Sequence, residues 1–206
     1  MRLSHNSAAS AGLPELARRA ADSALGRRLE AHRDYLTILA RMQIGQRLQG
    51  KVDPTDVVQE TFLHAVRDVA QFRGSSDQEL AAWLRQLLAA RLADLVRRYC
   101  GTQGRDVRLE QALQVELDHS SQMLERGLVA PLSSPSQQAV RHEQATWLAG
   151  ALERLPAAYR DVLVLHHLEG CDFPEVARRL GRSVEAVKKL WARALARLRR
   201  SVGGAP

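Results

Sequence analysis

The segment from Asp172 to Arg200, DFPEVARRLGRSVEAVKKLWARALARLRR, constrains the fold more than any other because it carries two consecutive sets of helix start and stop signals. Asp172 can cap a first helix, Pro174 sits in its first turn, Glu175 completes a capping-box-like spacing, and Gly181 suits a left-handed C-terminal cap. Ser183 then caps a second helix. In it Val184, Val187, Trp191, Ala194 and Leu198 recur at three- and four-residue spacing as one apolar stripe, with Glu185, Lys189, Ala192, Arg193 and Ala196 opposite. Two short helices around a tight turn outline a helix-turn-helix, whose second helix buries one face and offers the other to a partner. From Arg178 to Arg200 nine Lys or Arg stand against one acid, Glu185, the pattern expected of contact with a phosphate backbone. A charge run alone is more often a solvated face of a helical bundle. Caps, turn and stripe that all fit one motif favour the helix-turn-helix.

Composition agrees with an anionic partner. The 206 residues carry a formal charge of +7, and the excess is uneven: 12 basic and 7 acidic residues in 141–206, against 14 and 11 in 13–100 and 3 and 5 in 101–140. Nucleic acid is the first candidate. Cys100 and Cys171 are too few and too isolated for a disulfide framework or a four-ligand zinc site, so a reducing cytoplasm is the simplest location. No apolar run approaches the roughly 20 residues that cross a bilayer, and MRLSHNSAASAG lacks the apolar core of a signal peptide, so no membrane insertion is expected.

Along the chain the pattern is all-α: two helical blocks and a joint. Residues 1–12 read as a disordered tail. Residues 13–100 are rich in Ala, Leu, Arg and Gln, with breaks at Gly50, Asp53-Pro54 and Gly74-Ser75-Ser76. Residues 101–138, with Gly101, Gly104 and PLSSPSQQ, read as a flexible linker holding one local helix. Helical periodicity resumes over 139–202, through Trp147, Leu148, Ala151, Leu152 and Leu155 and, after Pro156, through Tyr159, Val162, Leu163, Leu165 and Leu168, giving a four-helix module that ends in the helix-turn-helix.

Asp53-Pro54-Thr55-Asp56 supplies a capping Asp, a Pro at the first helical position and an acid in the first turn, so a helix starts there. Val58, Phe62, Ala65, Val66 and Val69 are read as its inner face, with Asp56, Gln59, Glu60, His64 and Arg67 outside. The string DPTDVVQETFLHAVRDVAQFRG, followed by AAWLRQLLAARLADLVRRY, resembles the promoter-melting domain of bacterial sigma factors. LPAAYRDVLVLHHLEGCDFPEVARRLGRSVEAVKKLWARALARL resembles their helix-turn-helix domain for the upstream promoter element. The two strings, in this order and with only a short linker between them, resemble the extracytoplasmic-function group of the sigma-70 family over about 29–100 and 139–201.

The resemblance implies a sigma initiation factor that binds core RNA polymerase and directs it to promoter DNA. It implies a sigma2-like bundle over 13–100 and a sigma4-like domain over 139–202. Asp56, Gln59 and Glu60 would dock on the coiled coil of the polymerase β′ subunit, with the β subunit as a further contact. Arg85, Gln86, Arg91, Arg97 and Arg98 would hold the opened minus-10 strand, with Trp83 assigned to the core because it aligns with Leu80, Leu84, Leu87 and Leu88. Lys188, Lys189, Ala192 and Arg193 would read the minus-35 duplex, with Arg182 and Ser183 placed for phosphate. An anti-sigma protein is among the candidate regulators. The chain departs from the family pattern in a GSSDQEL loop about two residues longer than usual, in Leu80 where an aromatic is often found, and in Leu190 and Trp191 within the recognition helix.

Catalysis finds little support. The sequence has no phosphate-binding GxxxxGK, no HExxH, no CxxC and no nucleophile elbow, so neither catalytic residues, nor a metal, nor a cofactor is assigned. His166 and His167 are adjacent on a helix and read as half-buried structural positions, and His64 and His142 have no evident partner. The alternative reading is a helix-turn-helix regulator that acts on duplex DNA outside polymerase, and a third makes the N-terminal helices a dimerisation module. The regulator reading does not account for the DxxQE block, and run-off transcription with core polymerase separates the third, an interaction or dimerisation module, from a sigma factor.

Overall fold

The computed structural model describes residues 24–48, 51–100, 107–126 and 138–202, and among them every regular element is helical. The elements are 24–31 (α1), Arg33–Arg47 (α2), Pro54–Arg67 (α3), Asp77–Cys100 (α4), Val107–Arg126 (α5), Gln138–Glu153 (α6), Ala157–Leu163 (α7), Phe173–Leu180 (α8) and Val184–Val202 (α9). The tail 1–12 lies outside the described residues.

Helix α2 lies at the centre of the α2–α6 body. Its stretch YLTILARMQI is apolar on nearly every side, which marks a helix surrounded by others, and Tyr35, Leu36, Ile38, Leu39 and Ala40 are all fully buried. Helices α3, α4, α5 and α6 pack around it. Thr37 satisfies its hydroxyl locally by donating to the Arg33 carbonyl at 2.8 Å, so this polar residue costs little in the core.

Helix α3 begins as the sequence indicates: the Asp53 carboxylate accepts from the Thr55 N–H at 2.8 Å, with Pro54 in the first turn. Its inner face differs from the one expected. Val57, Val58, Thr61, Phe62 and Ala65 are buried, whereas Val66 and Val69 are exposed. The 3₁₀ turn at Val69–Gln71 ends the helix before a fourth inward turn can form.

The polar loop before α4 is shorter than its sequence suggests. Ser76 and Glu79 form a capping box: Glu79 Oε2 accepts from the Ser75 and Ser76 N–H groups at 2.9 and 3.0 Å, and Ser76 Oγ accepts from the Glu79 N–H at 3.2 Å. Asp77 to Leu80 therefore belong to the helix, and Leu80 heads the buried stripe continued by Leu84, Leu88 and Leu92. Trp83 is half-buried and stacks on Phe72 with ring centroids 5.2 Å apart.

The stretch read as a linker contains α5, whose buried residues Leu113, Leu117, Ser120, Ser121 and Leu124 recur at helical spacing. It packs on α4, α6 and α2. Helix α6 crosses α2 as well, so the buried residues of the two helical blocks form one continuous cluster. Beyond α6, α7 widens into a π-helical turn at Val164–Leu168, and α8 and α9 pack on this unit.

Candidate nucleic-acid interface

The helix-turn-helix is built as its local signals require. Asp172 accepts from the Glu175 N–H at 2.8 Å, and Gly181 ends α8 in the left-handed conformation at φ 61°. Ser183 Oγ then accepts from the Ala186 N–H at 3.3 Å to start α9. Val187, Ala194 and Leu198 are buried and Val184 and Trp191 partly so, which fixes the opposite face outward.

That outward face and the turn before it hold every upstream-element candidate. Arg182, Ser183, Lys188, Lys189, Ala192 and Arg193 are all exposed. Lys188 Nζ lies 3.2 Å from Glu185, whereas no acid among the described residues pairs with Lys189 or Arg193. Helix α8 contributes less free charge, since Arg178 and Arg179 both donate to the Glu175 carboxylate. Those two bonds, Arg178 first and Arg179 second, push the Glu175 carboxyl down to about 2. The cationic surface open to a partner is therefore carried by α9.

Ring contacts seat this helix. The Trp191 indole N–H donates to His167 Nε2 at 2.9 Å, and His166 stacks on Phe173 with centroids 4.3 Å apart while its Nδ1 lies 2.8 Å from the Cys171 carbonyl. Both histidines are thus partnered structural residues that fix α9 to the π-helical turn. Burial, then the neighbouring His166, lowers the His167 pKa, in keeping with an imidazole that accepts a hydrogen bond. Among the described residues, no group of three or more His, Cys, Asp or Glu side chains is arranged to hold a metal.

The minus-10 candidates on α4 divide into two sets. Gln86 and Arg98 are exposed. Arg85 donates to Asp118 of α5 at 2.7 Å and to the Tyr35 hydroxyl at 2.9 Å, Arg91 pairs with Glu60 of α3, and Arg97 pairs with Asp94. Glu60, a docking candidate, and Arg91, a strand candidate, thus hold each other and clamp α3 to α4.

Asp56 and Gln59 are exposed on α3, and the Gln59 amide oxygen accepts from Arg33 at 3.3 Å, which leaves its N–H₂ outward. The same face carries two residues that the apolar spacing does not assign to it. Leu63 is 50% and Val66 53% exposed, and with Asp56 and Gln59 they form one stripe at spacings of three and four. A signal for them is present in the sequence: α3 has more large apolar residues than one buried face can hold.

Two family models match the chain: Sigma-70 region 2 over residues 29–100 and Sigma-70, region 4 over residues 145–198. The chain is 30% identical over 148 residues to the RNA polymerase sigma factor CnrH of Cupriavidus metallidurans, covering 72% of each chain. It is 30% identical over 188 residues to the RNA polymerase sigma factor NccH of Alcaligenes xylosoxydans xylosoxydans, covering 89% of this chain and 90% of that one. The chain belongs to the extracytoplasmic-function group of the sigma-70 family. A 28% identity to the ECF RNA polymerase sigma factor SigE of Mycolicibacterium smegmatis, over 71% of this chain and 51% of that one, agrees. The protein is an RNA polymerase sigma factor, a transcription initiation factor, and the reading as a regulator outside polymerase is not favoured. Within this sigma factor α2 to α4 fall in the region 2 match, the second half of α6, α7, α8 and most of α9 in the region 4 match, and α5 lies between them. None of its described helices is long and apolar enough to cross a membrane.

Proposed function

We propose that this sigma factor holds core polymerase through the outer face of α3 and holds promoter DNA through two surfaces. Asp56 and Gln59, flanked by Leu63 and Val66, dock on the β′ coiled coil, while the C-terminal helices reach the β subunit. The face of α9 with Arg182, Ser183, Lys188, Lys189, Ala192 and Arg193 enters the minus-35 duplex. Gln86 and Arg98 meet the opened minus-10 strand, joined by Arg85, Arg91 and Arg97 as these exchange carboxylate partners for phosphate. The chain does no bond chemistry in this scheme; polymerase makes the RNA, and the sigma factor supplies the address. It works in the cytoplasm, and an anti-sigma protein is a regulator of the kind this architecture admits.

The observation that carries the reading is the α9 face, where Lys189 and Arg193, one turn apart, are exposed and have no acid partner among the described residues, on a helix fixed by the Ser183 cap and a ring cluster. Arg193 has the fork geometry to read guanine, and Lys189 supplies a point charge.

Run-off transcription with purified core polymerase and promoter-bearing fragments tests it. The wild-type chain is expected to give promoter-dependent RNA. Lys189→Ala with Arg193→Ala should weaken holoenzyme binding to the promoter and reduce the slope of log affinity against log salt by about 2, roughly one for each cation removed from the phosphates. Failure of the wild-type chain to start RNA synthesis would overturn the polymerase reading, and an unchanged salt slope would remove α9 from the phosphate backbone.

A further inference from the structure

Where α6 crosses α2, three rings meet in a buried pocket. His32, immediately before α2, and Tyr35, one turn on, face His142 of α6; the His32 and His142 centroids lie 5.5 Å apart, and Tyr35 is edge-on to His142 at 5.4 Å. His32 is 4% exposed, Tyr35 0% and His142 5%. Among the described residues, His32 Nδ1 and His142 Nε2 are buried with no hydrogen-bonding partner. Paired imidazoles in such a place are stable only as neutral rings. One proton puts an uncompensated charge in a desolvated site, and two put like charges side by side.

The charged groups around the pair offer little relief. Arg28 of α1 and Asp77 of α4 act on His32, but Asp77 is held by Arg28 at 3.0 Å. Arg85 of α4, Asp77, Glu125 of α5 and Glu143 of α6 act on His142. Asp118 of α5 is held by Arg85, and Glu125 accepts from the Ser121 hydroxyl at 3.2 Å. Asp77 and Asp118 are thus paired with cations, whereas Glu125 keeps its charge beside a neutral hydroxyl and favours a charged His142, an effect that burial outweighs.

The contact joins the part of the chain matched to region 2, which includes His32, to the helix that leads into the region 4 match, which carries His142. The closure also contains Arg85 with Asp118 at 2.7 Å and Tyr35 with Ser121 at 2.7 Å, both between the α2–α4 body and α5. We propose that this joint is a proton-operated latch: with His32 and His142 neutral, α5 and α6 lie closed on the α2–α4 body, and proton uptake by the two rings releases them.

The direction follows from the rings' environment. Burial first, and second the repulsion between the two rings when both are charged, lower the pKa of His32 to about 4 in the closed form. His142 is lowered as well, burial again first. In an opened chain both return towards about 6.5, so the open form binds more protons below that value. Closure is complete above roughly pH 6.5 and is lost as pH falls towards about 4. His32 alone reduces the closed-to-open ratio about 25-fold between about pH 7.5 and pH 5, and His142 acts in the same sense. Release also frees Arg85 for nucleic acid, a consequence that rests on the strand-capture reading; the latch itself does not.

Small-angle X-ray scattering with far-UV circular dichroism, on the full chain without polymerase or DNA, tests it. Moving from about pH 7.5 to about pH 5 is expected to enlarge the radius of gyration reversibly with the helix signal retained. A chain that stays compact at the lower pH, or that expands only as its helices melt, would overturn the proposal. His32→Leu with His142→Leu removes both titrating rings and should keep the chain compact at both pH values. Expansion of that variant at the lower pH would assign the opening to carboxylates and sink the histidine latch. If the double variant does not fold, His142→Leu takes its place: it should shift the opening to lower pH, and an unshifted opening would count equally against the proposal. None of these outcomes depends on whether the chain initiates transcription.

Discussion

A methyl group on Gly74 would lie 2.6 Å from the Phe72 ring and 2.8 Å from Glu79 Cβ. Both neighbours are committed, Phe72 to its stack on Trp83 and Glu79 to the Ser75 and Ser76 amides that push its carboxyl down to about 2. Gly74→Ala is therefore expected to destabilise the chain by about 1–3 kcal/mol through forced displacement of one or the other. Gly181→Ala should cost only about 1 kcal/mol, because its φ of 61° is unfavourable for alanine but the space around it is open. Thermal unfolding of the two variants measures the contrast, and equal losses would contradict it. At this scale the caps are legible in sequence, since Asp53, Asp172 and Ser183 act on amides two or three residues away. The partners of His142 and Arg85 are not, because they come from helices more than thirty residues distant and no local spacing encodes them.

At the scale of the element, α3 has two unlike faces. Val57, Val58, Thr61, Phe62 and Ala65 hold it to the body, and Asp56, Gln59, Leu63 and Val66 look outward. Exposed large apolar residues beside hydrogen-bonding groups suit a docking helix, where the former supply burial and the latter register. Leu63→Ser with Val66→Ser is expected to weaken core polymerase binding roughly tenfold or more, about 1–2 kcal/mol or above, while leaving the melting temperature nearly unchanged. Fluorescence titration against core polymerase, with thermal unfolding as the control, checks both halves; loss of stability instead of binding would return the two residues to a structural role. The apolar period of α3 predicts a helix and its caps predict where it starts, but a register one residue away puts Val66 and Val69 inside. Helix α5 is harder to see for a related reason. Two of its five inward residues, Ser120 and Ser121, are polar, and the buried Ser121 hydroxyl is satisfied by accepting from Tyr35 of α2 and donating to Glu125.

For the whole molecule, the question is what holds the two family-matched parts together apart from the ring pocket. Glu153, at the end of α6, is central to a second joint. One carboxylate oxygen accepts from Arg41 of α2 at 3.3 Å and the other from Arg160 of α7 at 3.0 Å, with the Glu153 side chain 15% exposed. Among the described residues, Arg41 and Arg160 each carry a buried Nε atom without a hydrogen-bonding partner, and Asp53, whose carboxyl both cations help to lower, bonds Thr55 instead. Asp161 lies 3.6 Å from Arg160 and is the more exposed carboxylate. Removing Glu153 would leave two guanidinium groups facing each other across the α2–α7 boundary in a largely desolvated place, which makes loss of one partner worse than loss of the pair. Glu153→Ala is expected to cost about 2 kcal/mol, below the range for fully buried pairs because a quarter of the Arg41 side chain is exposed. Glu153→Ala combined with Arg41→Met should recover part of that loss. Hydrogen exchange locates the effect: amides of α2 and α6 should lose protection while those of α8 and α9, secured by their own caps and by Trp191, keep theirs. Uniform loss of protection through α9 would instead mean that the two parts fold as one cooperative unit.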